Sequence, residues 1–164
     1  MPIPFDDTDN DSSDAAGYLK FLHHAAKNIW LGALFVMNAR GEPIEFTHAR
    51  VRSPKAMLWR TDDLRARCQL SLCTSLFDLC PITPDIILCL ADEVASDIFT
   101  QRLRLEIPIG FVTRDGHAAE WTMDISPDST RGRLFKCLSE RGLLLEPFER
   151  AETGLREVYS ELLK

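Results

Sequence analysis

Two almost uninterrupted apolar runs, IWLGALFVMN (29–38) and DIILCLA (85–91), constrain this chain most. A strand with one solvated face alternates apolar and polar residues. A run without alternation belongs in a strand covered on both faces. Between the runs, the segment 62–80 carries Leu64, Cys68, Leu72, Leu76 and Leu79 at helical spacing, with a flanking stripe of Leu70, Cys73, Phe77 and Cys80. Thr61-Asp62-Asp63 supplies carboxylates for the positive end of that helix, and Pro81 and Pro84 stop it. A strand that follows a long helix suggests a right-handed crossover into a parallel pair.

The first run continues through ARGE (39–42) into PIEFTHARV (43–51), where Ile44, Phe46 and His48 alternate with polar neighbours. Gly41 can take positive φ in the turn, so 29–51 reads as a hairpin. Upstream, Tyr18, Phe21, Leu22 and Ala25 fall at helical spacing behind Asp14, a residue suited to an N-cap; a short helix is expected there, weakened by Gly17. Residues 93–103 also read as a helix, through Val94, Ile98 and Phe99. Residues 107–113 and 117–123 flank Arg114-Asp115-Gly116 as a second hairpin. Two helices end the chain. Asp128 is the expected cap of the first and Gly142 its stop, while the second follows Pro147 and shares Leu155, Val158, Tyr159 and Leu162 on one face. The expected fold is α/β, a mixed sheet with flanking helices, in a single domain over 15–164.

Charge is unevenly distributed. The chain has 164 residues and a formal charge of −6. Residues 1–14 hold five Asp and no basic side chain, the composition of a disordered acidic tail. The segment 50–67 is the opposite: Arg50, Arg52, Lys55, Arg60, Arg65 and Arg67 outweigh Asp62 and Asp63, with Trp59 among them. A net acidic chain is a poor general coat for nucleic acid, so any phosphate contact is expected to be local. Five Cys at spacings of 5, 7, 9 and 48 make neither a disulfide framework nor a zinc motif. No run approaches the ~20 apolar residues of a transmembrane helix, and no signal segment opens the chain. The expectation is a cytoplasmic protein with reduced thiols, no cofactor and no resident metal.

The order hairpin, helix, strand, helix over roughly 29–105 resembles the layout of ribonuclease-H-like domains, endonuclease V among them. A nuclease of that group needs acids gathered at a sheet end to hold hard divalent ions. The resemblance implies Glu45, Asp85 and Asp92 as the catalytic carboxylates, with Glu42 nearby. The run 29–37 carries no acid at all.

Other chemistry is sparsely represented. His23 and His24 are adjacent and would point to different sides of a helix, which suits no shared ion. Cys89 and His48 would make a nucleophilic pair only if their strands were neighbours. Arg131-Gly132-Arg133 near a helix start offers an anion seat. Neither a phosphate-binding glycine loop nor a nucleophile elbow occurs.

Two functions follow. The leading expectation is a non-catalytic accessory or assembly subunit, associating with a protein partner or a second copy through the basic segment (Arg50, Arg52, Lys55, Trp59, Arg60, Arg65, Arg67). The alternative is a ribonuclease-H-like divalent-metal nuclease or nucleic-acid-processing domain, with the same segment on a phosphate backbone. A third option is a small-ligand sensor with its pocket at the carboxyl ends of the parallel strands.

Overall fold

Six strands order as β3-β2-β1-β4-β5-β6 in one mixed sheet. They are β1 (Ala15–His24), β2 (Ile29–Asn38), β3 (Pro43–Arg52), β4 (Ile86–Leu90), β5 (Ile109–Val112) and β6 (Ala119–Trp121), with helices α1 (Thr61–Leu79), α2 (Thr130–Glu140) and α3 (Glu146–Val158). A computed structural model describes residues 14–95, 97–103, 105–115 and 119–164. The expected acidic tail lies outside the described residues except for Asp14, as does Gly116 of the second hairpin.

Both apolar runs are central strands. Every residue of β2 and of β4 is buried. The β2–β3 hairpin is antiparallel, and its turn uses Gly41 at φ +83°. A bulge interrupts its register, so that Val36 faces Glu45 while Met37 faces Pro43. The extra residue is Ile44, and the expected shared face of Ile44, Phe46 and His48 is broken there. Ile44 packs with the α1 layer, whereas Phe46 packs with the α3 layer.

The expected N-terminal helix is instead β1, the centre of the sheet. It pairs antiparallel with β2 along its whole length and parallel with β4. Its helical spacing is accidental: Ala15 to Phe21 are all buried, a degree of burial no amphipathic surface helix has. Gly17 is tolerated because the chain is packed closely there. A Cβ on it would stand 2.9 Å from Leu34 Cδ1 and 3.0 Å from Pro84 Cγ.

α1 covers one sheet face. Ala66, Cys68, Leu72, Cys73 and Leu76 pack with Phe21, Trp30 and Ile87. Its expected stripe is shorter at the end, since Leu79 is exposed. α2 and α3 cover the other face, placing Leu134, Leu138 and Phe148 against Tyr18, Phe35 and Leu88. Ser129, rather than Asp128, caps α2 by accepting the Gly132 N–H at 3.1 Å. On α3, Leu155 is buried and Tyr159 and Leu162 pack beside it, but Val158 is exposed. Within the expected helix 93–103, turns precede a single wide helical turn, Ile98–Arg102. Among the described residues no helix is long and apolar enough to cross a membrane.

Candidate functional site at the carboxyl end of the sheet

One end of the sheet collects most of the polar chemistry. β1, β4 and β5 run parallel, so His24, Leu90 and Val112 finish at the same end. Registers bring the last residue of β3 there too, because His24 faces Ile29 and Ile29 faces Arg52. In open α/β sheets this end, where neighbouring connections diverge, is the usual place for a ligand crevice.

A crevice of about 410 Å³ opens there on the α3 side, walled by Lys20, Leu90, Arg114, Leu145, Phe148, Glu149 and Glu152. This is the position expected of a sensor pocket. Lys20 is the unusual member: a lysine in a central strand, 8% exposed. Its ammonium lies 2.5 Å from Glu93 Oε2, and Glu93 Oε1 accepts the Phe21 N–H at 2.9 Å. Gln69, fully buried on α1, holds the turn that carries Glu93. It donates to the Glu93 carbonyl at 2.8 Å and accepts from the Ala95 N–H at 2.9 Å. At the crevice mouth Arg114 donates to Asp92 at 2.8 Å. That hydrogen bond holds the Asp92 carboxyl below its ordinary range and raises the Arg114 guanidinium.

Sequence reasoning missed Lys20, Glu93, Gln69 and Arg114. A lysine inside AAGYLKFLHH looks like the polar face of a helix, and only strand pairing turns it into the sheet's centre. The one available signal was its position among residues that are otherwise apolar.

The acids implied by the nuclease resemblance are not brought together. Glu45 sits on the edge strand β3, opposite Val36. Asp85 precedes β4, at the other end of the sheet from Asp92, and accepts the Ala15 N–H at 2.8 Å. Glu42 accepts from Asn38 at 3.1 Å in the hairpin turn. Among the described residues no group of three His, Cys, Asp or Glu is placed to hold a metal ion. This donor set therefore does not fit the paired divalent ions of a two-metal nuclease.

The remaining candidates resolve in the same way. Cys89 and His48 are not on neighbouring strands, because β2 and β1 stand between β3 and β4. Burial pushes the Cys89 thiol well up, and His48 Nδ1 contacts the Tyr159 hydroxyl at 2.8 Å. His23 and His24 lie on a strand and so face opposite sides of the sheet. His23 stacks on Trp30 at 4.3 Å between ring centroids, and burial, followed by the neighbouring His24, lowers its pKa. Gly132 packs too closely for a Cβ, which would come within 2.2 Å of the Ser126 carbonyl.

The basic segment flanks the same sheet end. Arg50 and Arg52 finish β3; Lys55, Trp59 and Arg60 lie in the connection; Arg65 and Arg67 lie in the first turns of α1. Arg52 lines two shallow clefts, one with Pro54, Arg67 and Cys68, the other with Ile29, Arg50 and Leu162. The Arg67 guanidinium sits 5.2 Å over the Trp59 ring. Met57 and Leu58, beside Trp59, are 85% and 90% exposed. Arg65 differs from the others in being half-buried, with its Nε buried and unpartnered.

No family model matches the sequence, and no curated protein matches it. Solved structures do. An endonuclease V from Streptomyces avermitilis is 12% identical, with a TM-score of 0.63 over 99% of this chain and 89% of that one. An endonuclease V from Bacillus subtilis is 15% identical, with a TM-score of 0.47 over 70% of this chain, which spans only 48% of that chain. The S. avermitilis match runs through nearly the whole fold, and it overturns the leading expectation of a non-catalytic accessory or assembly subunit. The chain is a single-domain α/β protein with a mixed six-stranded sheet, of a layout compatible with ribonuclease-H-like domains and similar to that of an endonuclease V.

Proposed function

We propose that this chain is a nucleic-acid-processing domain of ribonuclease-H-like type that takes a strand along the carboxyl end of its sheet. The observation that carries the reading is the placement of the basic segment at the end where the open sheet forms its crevice. Arg50, Arg52, Lys55, Arg60 and Arg67 are exposed around that end and supply charge for phosphates. Trp59, with Arg67 over its ring, supplies a stacking face that accepts any base. The likeness to a protein named as an endonuclease supports the reading at the level of fold. The five cysteines are free, which suits a reducing compartment, and we place the protein in the cytoplasm.

The test is fluorescence anisotropy of labelled single-stranded and duplex oligonucleotides over a salt series. The wild-type chain is expected to bind with a steep negative salt slope. Reversal of Arg52, Arg60 and Arg67 to Glu should weaken binding and flatten the slope by about 0.9 for each duplex phosphate that the protein ceases to neutralise. Arg65 is left intact because it is half-buried. No binding at low salt, or binding indifferent to the reversal in a folded variant, overturns the proposal.

A further inference from the structure

Lys20, which lines the crevice, pairs with a carboxylate held in a fixed position. Glu93 is oriented by the Phe21 N–H on Oε1 and by Lys20 on Oε2, while Gln69 holds the backbone that follows it, from the Glu93 carbonyl to the Ala95 N–H. It lies beside Phe21 of β1, just past the end of β4 at Leu90, and its side chain is 16% exposed. A hard divalent ion binds carboxylate oxygen at about 2.0–2.6 Å and needs six or more oxygen ligands. The Lys20 ammonium already occupies that distance range, 2.5 Å from Oε2. Arg114 adds a second cation to the wall and engages Asp92, the nearest acid in sequence. Among the described residues the other charged groups facing the crevice are Glu149 and Glu152, across it on α3. A dication at Glu93 would therefore meet an ammonium within one coordination distance and find Asp92 taken.

We propose that Lys20 is the resident cation of this crevice: its ammonium keeps divalent ions off Glu93, and nucleic acid is bound at this end of the sheet without a divalent ion in the crevice. The second clause rests on the function proposed above; the first rests on the Lys20–Glu93 pair alone.

The experiment uses the full chain and Mn²⁺ as the probe, with electron paramagnetic resonance and thermal melting as readouts. Wild type is expected to show no saturable Mn²⁺ site that depends on Glu93, and no rise in Tm with Mn²⁺. Lys20→Asp, which places a second carboxylate beside Glu93, is expected to bind Mn²⁺ at least about tenfold more tightly than wild type and to melt higher with it. Adding Glu93→Gln should abolish the gain. If the aspartate variant fails to fold, Lys20→Asn carries the same test, because it removes the charge and keeps an oxygen donor. A stoichiometric wild-type site lost in Glu93→Gln overturns the proposal, as does a folded Lys20 variant that gains no Mn²⁺ binding. Oligonucleotide affinity is then compared in chelator and in Mn²⁺ at matched ionic strength. Equal affinities are expected, and a requirement for Mn²⁺ overturns the second clause. Absence of oligonucleotide binding under both conditions strikes the proposed function and leaves the Mn²⁺ result standing.

Discussion

The carboxamide of Gln69, on α1, donates to the backbone carbonyl of Glu93 at 2.8 Å, so the helix on one sheet face sets the position of a carboxylate at the sheet's end. The same carboxamide accepts from the Ala95 N–H, and its residue is fully buried. Gln69→Leu keeps similar volume and strands both backbone groups. We expect a loss of about 2–6 kcal/mol in urea unfolding, since each buried orphan costs about 1–3 kcal/mol. A loss under about 0.5 kcal/mol, the range of an ordinary surface substitution, would show that water reaches the turn.

Lys20 and Glu93 form an ion pair whose side chains are only 10% and 16% exposed. Removing one partner of a buried pair costs about 3–5 kcal/mol, because the survivor keeps its desolvation penalty. Lys20→Met should therefore destabilise strongly, and Lys20→Met with Glu93→Gln should destabilise less than the two single costs added. A double-mutant cycle reads the difference, and strict additivity would show that the two charges are not coupled.

Gly17 is enclosed by Leu34, Pro84 and Ile87. Leu34 can turn its terminal methyl aside, but the Pro84 ring cannot. Gly17→Ala should cost about 1–3 kcal/mol by overpacking. An unchanged Tm would mean that the loop before β4 yields freely.

His23 provides a pH-dependent term. Its ring lies nearly parallel to Trp30, at 12°, and its pKa is lowered by burial. A lowered folded pKa means that the unfolded chain binds the proton first as pH falls. The neutral ring's contribution is complete above the ordinary histidine range, near pH 6.5. It is lost as pH drops through that value toward the folded pKa. In an NMR titration the His23 ring should protonate below the ordinary range, and His23→Phe should remove this part of the acid-side slope of stability. A His23 titration at or above the ordinary value would show that the ring is not desolvated against Trp30.

The elements legible in the residues were those with local signatures. The unbroken apolar runs identified β2 and β4 as doubly covered strands. Gly41 marked the hairpin turn, and the wide apolar stripe with acids at its start marked α1. Mixed α/β architecture follows from that order, because a buried strand, a long helix and another buried strand pack most readily as layers around one sheet. The basic segment was equally visible, since charge composition needs no fold to be read.

What tertiary structure decided was the identity of the centre. AAGYLKFLHH satisfies a helical spacing through Tyr18, Phe21 and Leu22, and it satisfies a buried strand equally well. Nothing within ten residues separates the two. The choice lies with hydrogen bonds to β2 and to β4, the latter about seventy residues away in sequence. Once β1 takes the central place, Lys20 enters the crevice, Glu93 meets it, and Asp85 is left at the opposite end. Segments such as β2 determine their own environment because the whole run is apolar. A site assembled from β1, the turn after β4 and α1 is determined only by pairing between distant strands, and no local pattern encodes that.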